Sequence, residues 1–295
     1  MGAVGTVELQ SPIAPRRLSF ESALAELPKE FAAGGNVFHC HLNACLSAVF
    51  PDGEDYFVRS VRHYRGQLSD PVLKGQVAGF IGQEASHGRE HRLLNLRLAE
   101  LGYPVERIGK FCRWEIKHRE RVMSPSANLA VTAAMEHFTA IMAEVLMAPN
   151  GAKESLGAEV LQNLFLWHAL EESEHKSVAF DVFRAMSGKE RQRVLIMKGT
   201  RLGFLFGITT IVLLSVLSDP RSRERGVLRS HWREFRTAPL FRREVWNALR
   251  EYDAAQFHPS QRDTTSSEQY WRERLFGPTG EISNSSSSHQ QEVQL

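Results

Sequence analysis

The stretch His168-Ala169-Leu170-Glu171-Glu172-Ser173-Glu174-His175 decides how this chain is read. Side chains three and four residues apart share one face of an α-helix. His168, Glu172 and His175, at offsets 0, 4 and 7, therefore form one stripe of three potential metal ligands. Upstream, Glu84-Ala85-Ser86-His87-Gly88-Arg89-Glu90-His91 makes a second stripe of Glu84, His87 and His91, at offsets 0, 3 and 7. Two separated Glu-x-x-His pairs, with one further Glu from each of two other helices, form the ligand pattern of a dimetal carboxylate site in a four-helix bundle. Glu54 and Glu136 fill those two places, 30 residues before Glu84 and 36 before Glu172. The expected metal ligands are Glu54, Glu84, His87, Glu136, His168, Glu172 and His175.

Outward from these stripes the chain reads as a series of helices. Asp70-Pro71 places an N-cap before proline at the first helical position, opening a long helix that Gly102 ends. Residues 106–122 are a charged amphipathic helix, and Ser124-Pro125 opens an Ala- and Met-rich one with Glu136 near its centre. The helix carrying the opening stretch is expected over 157–186, ended by Ser187-Gly188. Nearer the start, a short helix is expected over 20–33. Asn36 then caps a helix that Pro51-Asp52-Gly53 breaks, and a new helix over 54–68 brings Glu54 into its first turn. No strand-like alternation appears within 20–186. The class is all-α, a ferritin-like four-helix bundle with additional N- and C-terminal helices. Residues 1–17 read as a flexible arm, 18–258 as the dimetal-binding domain, and 259–295 as a disordered polar tail.

Composition narrows the function classes. Of 295 residues, 42% are hydrophobic and 24% charged, ordinary values for a globular chain. A net charge of +2 and the absence of any binding motif argue against nucleic acid as a partner. Three cysteines without C-x-x-C spacing suit a reducing compartment. No secretory signal is visible in the first thirty residues, so a cytoplasmic location is expected. Residues 202–217 carry no charge, yet sixteen residues fall short of the roughly 20 needed to span a bilayer. A buried helix packed on the bundle is the first reading of this segment. Association with the inner face of a membrane is the second, helped by nine Arg against three Glu between Arg221 and Arg250. The segment is also placed to cap an apolar access channel, with Phe204 and Phe206 against a hydrophobic substrate.

Four glutamates formally balance two divalent cations, which removes most of the cost of burying either set. Carboxylate with imidazole suits iron first, with manganese or zinc as alternatives, and thiolates are absent from the set. Glu54 and Glu136 are the weaker members, since single glutamates are usually solvated and Glu54 near a helix start also complements the helix dipole. His91 is expected to orient a ligand by hydrogen bonding rather than to bind metal itself. Glu90, Glu171 and Glu174 are placed on other faces, His137 is read as structural, and His39 and His41 are left undecided.

The His168-x-x-x-Glu172-x-x-His175 pattern, taken with Glu54, Glu84-x-x-His87 and Glu136, resembles that of the di-iron N-oxygenases that oxidise arylamines. A closer likeness covers 35–255 and rests on Phe80-Ile81-Gly82-Gln83-Glu84-Ala85-Ser86-His87-Gly88-Arg89-Glu90-His91, continuing through Leu94-Asn95 to Gly102. There the chain resembles a bacterial family labelled "predicted metal-dependent hydrolase". The first likeness implies a di-iron oxygenase acting with dioxygen on an organic, apolar or aromatic, small molecule. The second implies water activated by a pair of metal ions. A non-catalytic metal-binding protein is the third reading. No flavin, nicotinamide or iron–sulfur motif is present, so an oxygenase would draw electrons from a partner protein or a small reductant.

Overall fold

The computed structural model describes residues 13–149 and 152–282, and all regular structure among them is helical. In chain order the α-helices are α1 Glu21–Ala25, α2 Val37–Arg62, α3 Pro71–Glu100, α4 Val105–Val122, α5 Pro125–Met147, α6 Glu159–His175, α7 Val178–Ala185, α8 Glu190–Ser218, α9 Val227–Phe235, α10 Arg243–Glu251 and α11 Thr265–Phe276. Helix α2 packs along α3 and α5 along α6, while α2 against α5 and α3 against α6 close the arrangement. These four helices carry all seven expected ligands on their facing sides. Helix α4 lies on the outer side of α2, and α8 lies against both α2 and α5.

The caps read from sequence are in place. The Asn36 side chain accepts from the amides of Phe38 and His39, Asp70 from Val72, and Ser124 from Ala127. Each satisfies a donor that the first helical turn leaves free. Gly102 ends α3 at φ 90°, a left-handed conformation that costs a glycine little.

The expected break at Pro51 does not occur, and α2 runs unbroken from Val37 to Arg62. Proline has no N–H for the carbonyl four residues back, which is that of Ser47. Asn95 on α3 supplies the missing donor, its Nδ2 lying 2.9 Å from the Ser47 carbonyl oxygen. A neighbouring helix thus satisfies the group that proline orphans, and Glu54 sits inside the helix rather than at its start.

Four further expectations are corrected. The helix expected over 20–33 is limited to Glu21–Ala25, because Pro28 and the following glycines leave too short a periodic run. The one expected over 157–186 divides into α6 and α7 at Lys176-Ser177. That turn lets α7 pack on α3 and α5, where Phe180 and Phe183 are buried. The tail placed at 259–295 forms α11 in its described part: Trp271 and Leu275, one turn apart, are buried, and Trp271 Nε1 donates to the Met147 carbonyl at 2.8 Å. Two anchors were hidden among Ser, Glu and Arg. Of the arm placed at 1–17, residues 1–12 lie outside the described residues, as do 283–295 of the tail. The remainder of the arm packs: a Cβ on Gly79 would stand 2.2 Å from the Ile13 carbonyl, so the chain lies directly on α3 there.

Candidate metal centre

All seven expected ligands are buried, and the fold brings them to one place. Glu54 comes from α2, Glu84 and His87 from α3, Glu136 from α5, and His168, Glu172 and His175 from α6. Ligand atoms of Glu84, Glu136, Glu172 and His175 lie within 4.8 Å of one another. The same holds for Glu54, Glu84 and His87, and for His87, His168 and Glu172. Glu84 and Glu172 therefore belong to both halves of the cluster. His175 Nε2 stands 3.1 Å from Glu84, 3.3 Å from Glu136 and 3.5 Å from Glu172. His168 Nε2 is 3.1 Å from Glu172 and 3.6 Å from Glu54.

The centre lacks the partners that such groups normally have. Both oxygens of Glu54, Glu84 and Glu136, Oε2 of Glu172, Nδ1 of His87 and Nε2 of His175 are buried without a hydrogen-bond partner. Native interiors leave few such atoms, since each costs free energy. Here they share one small space, and no lysine or arginine among the described residues forms an ion pair with any of the four glutamates. Burial, reinforced by the charges of Glu84 and Glu172, raises Glu54 well above the ordinary carboxyl value. Burial and Glu172 push Glu84 up to about 8 and Glu136 to about 7. Burial also opposes charge on Glu172, but His175 and His168 hold it well below the usual range. Burial depresses His175 as well, and there Glu172 and Glu136 prevail and raise it well above the usual imidazole value. A set of carboxylates and imidazoles this crowded and unpaired fits divalent cations, which would satisfy every inward atom at once.

A ring of outer contacts aims the imidazoles. His87 Nε2 donates to Glu171 at 2.9 Å, which turns Nδ1 inward. His175 Nδ1 donates to Gln83 at 2.9 Å, which turns Nε2 inward. His168 Nδ1 lies 2.9 Å from His91 Nε2. With His168 Nε2 facing the glutamates, Nδ1 carries the proton and donates it to His91. His91 Nδ1 then donates to Ser47 Oγ at 3.0 Å, and Ser47 donates to Asn95 at 2.9 Å. Each ring has one nitrogen for the centre and one fixed from behind, the usual arrangement around metal-bound histidine. His91 also lies within ligand distance of Glu54 and His168, but its hydrogen bonds occupy both of its nitrogens. Burial, with His168 close by, lowers His87 to about 4 and holds His91 well below the usual imidazole value, which favours the neutral form of both rings.

Glu171 and Glu174, set aside in the sequence, sit in this outer ring. Glu171 is fully buried between His87 and Arg16, whose Nη1 is 2.9 Å away. Glu174 accepts from Gln83 at 3.1 Å and pairs with Arg16 at 2.7 Å and Arg272 at 2.8 Å. The stretch 171–175 thus faces two ways, Glu172 and His175 inward and Glu171 and Glu174 toward the arginines. A buried Glu beside a ligand on α6, with an Arg in the preceding arm, was the available signal. Helical spacing alone assigns such a residue to another face without saying what that face meets. Gly88 leaves room for Glu54, since a Cβ there would stand 3.2 Å from Glu54 Oε2.

The remaining histidines take other parts. His137 Nε2 bonds the Ala248 carbonyl at 3.0 Å, tying α5 to α10. His39 packs edge-on against Phe235. His41 lies between Ser215 at 2.7 Å and Asp219 at 3.0 Å. That trio has the residue types of a nucleophile relay, but Ser215 is buried inside α8 and the contacts fasten α8 to α2. Phe206, expected over an access channel, is 77% exposed and faces away from the centre.

A family model described as "predicted metal-dependent hydrolase" matches residues 14–263, a span that takes in every residue of the cluster and Arg16. Comparison with curated proteins and with solved structures finds no match.

Proposed function

The chain belongs to the predicted metal-dependent hydrolase family, and from that premise we propose that its buried glutamate–histidine cluster holds two divalent metal ions at which an organic substrate is hydrolysed. The observation that carries this reading is the set of partnerless inward atoms on Glu54, Glu84, Glu136, Glu172, His87 and His175. Glu136 and His175 would hold one ion, Glu54, His87 and His168 the other, and Glu84 and Glu172 would be shared. Bound there, such ions supply Lewis acidity and lower the pKa of water toward neutrality. The protein's own part is to fix the ligands: Glu171 behind His87, Gln83 behind His175, and the His91–Ser47–Asn95 chain behind His168 keep each ring in one orientation. The cluster comes nearest to solvent at the Glu54–His168–Glu172 corner, where side-chain exposure is 3–6% against 0% for Glu84, His87, Glu136 and His175. Phe50 packs on His168 and His91 at that corner, with ring centroids 5.0 and 4.8 Å away. An apolar rim there favours an apolar or aromatic substrate group.

A second reading, oxidation of the substrate by dioxygen, is favoured by His168. A third imidazole makes the two ion positions unlike, as in the di-iron N-oxygenases whose pattern this one resembles, and iron would then be the metal. Electrons would come from a partner protein or a small reductant. One purified sample separates the two. Its metal content is measured, then ester, amide and phosphoester panels are run under argon with zinc or manganese restored. Oxygen uptake is followed in parallel after iron loading and reduction. Hydrolysis under argon that is lost in Glu172→Ala supports the first reading. Oxygen uptake without hydrolysis replaces it with the second, and fewer than one bound metal ion per chain overturns both.

A further inference from the structure

Helix α8 is long and apolar enough to cross a membrane, yet only 17% of its most apolar window is buried. Leu195, Leu202, Phe206, Leu213 and Leu217 recur at helical spacing down its outer side, all exposed, with Leu202 at 71% and Phe206 at 77%. The stripe is about 33 Å long at 1.5 Å per residue. Isolated apolar residues on a surface need no explanation, but a continuous stripe of this kind marks a binding face.

The opposite side of α8 is fastened. Arg193 is fully buried and donates to the carbonyls of Tyr252 and Ala254. Arg201 pairs with Asp253 at 2.7 Å, Phe204 packs on Phe138, and Ser215 bonds His41. Crossing a bilayer would require stripping all of these contacts. Lying in its surface requires none.

Charge points to the kind of surface. Helix α9 docks through Phe235 and Trp232 on Phe38 of α2, one turn from the His41 that receives α8. Both helices therefore pack on neighbouring positions of α2. Arg229 and Arg233 of α9 and Arg236 at its end are all exposed, as are Arg223 and Arg225 just before it. None of the five forms an ion pair with another described residue. Trp232 and Phe241, both partly exposed, stand between this basic patch and the core. Aromatic residues of this kind settle at the headgroup level of a bilayer.

We propose that the exposed stripe of α8 and the arginines around α9 together seat this protein on an anionic lipid surface, with α8 lying in the plane of the headgroups. The test is co-flotation of the full chain with vesicles of phosphatidylcholine alone and of phosphatidylcholine with about one third phosphatidylglycerol. Binding is expected on the anionic vesicles, at least tenfold above the neutral ones, and is expected to weaken as salt rises. The double variant Leu202→Glu with Phe206→Glu should lose it. The triple variant Arg225→Glu, Arg229→Glu, Arg233→Glu should lose the preference for anionic lipid. All five positions are exposed, and an unchanged helical circular-dichroism spectrum checks the fold. Equal binding to both vesicles overturns the electrostatic part of the proposal. Absence of binding to either overturns the whole. So does a wild-type dimer in light scattering that Phe206→Glu converts to monomer, because the stripe would then belong to a second copy of the chain.

Discussion

Helix α2 enters two buried clusters of histidine and carboxylate, and they are built on opposite terms. In its first half, His41 sits between Ser215 and Asp219, and Asp219 also accepts the Arg221 amide at 2.9 Å, so every atom has a partner. In its second half, Glu54 joins three glutamates and three histidines whose inward atoms are mostly unpaired. A paired cluster holds helices together and is finished when the chain folds. An unpaired one opposes folding until something else enters it. The contrast separates architecture from ligand binding without reference to any reaction.

Stripping metal should break the symmetry between the clusters most strongly. Loss of a tightly held ion removes about 4 kcal/mol or more, which lowers Tm by roughly 10 °C in a chain of this size. The stripped protein should also respond to pH in a particular direction. Burial raises Glu84 to about 8 and Glu136 to about 7 in the fold. Their protonated forms therefore favour the folded state, fully so below the ordinary carboxyl value. That stability is lost as pH rises through 7 and 8. Metal displaces those protons, so the Tm gap between loaded and stripped protein should widen from pH 5 to pH 8 in calorimetry. A gap that narrows with pH would mean the carboxyls are not in competition with metal.

Opposite signs are expected from single substitutions in the two clusters. Glu136→Gln replaces a buried carboxyl whose charged form has no hydrogen-bond partner, so it should abolish one metal equivalent while leaving the stripped protein as stable as before, or more stable. Asp219→Asn breaks a paired cluster and should cost about 1–3 kcal/mol with metal content unchanged. Denaturant titration together with metal analysis reads both quantities. If the two variants behave alike, the distinction between the clusters fails.

The contact ring behind the ligands gives a smaller effect. His91→Ala and Glu171→Gln should each weaken metal binding by about 10–100-fold, the usual result of losing a group that orients a ligand. His137→Ala, on the far side of α5, should leave affinity unchanged. Competition titration against a chromophoric chelator measures all three.

The membership of the buried cluster was legible because helical spacing converts sequence offsets directly into a shared face, and the helix caps were local. The Glu84-x-x-His87 and His168-x-x-x-Glu172-x-x-His175 stripes needed nothing beyond that. What the sequence hid depends on contacts between distant segments. Glu171 becomes informative only when Arg16, 155 residues away, lies on it. Helix α8 looks like core by composition, and only its packing on α2 and α5 shows that its other side is left exposed among the described residues. Pro51 reads as a break because the residue that rescues it lies on another helix.

That last case supplies the finest test of how the paired and unpaired regions connect. Asn95 caps the Ser47 carbonyl that Pro51 leaves free, and the same Ser47 carries the hydrogen bond that supports His91. Asn95→Ala should cost about 1–2 kcal/mol by returning that carbonyl to an unsatisfied state. In a Pro51→Ala background the helix regains its own N–H, so the same substitution should cost measurably less. A remainder is expected from the lost Ser47 Oγ bond. The coupling energy from this double-mutant cycle measures how far the neighbouring helix substitutes for the missing amide. Equal costs in both backgrounds would show that Asn95 serves only the Ser47 hydroxyl, and that α2 tolerates its proline by other means.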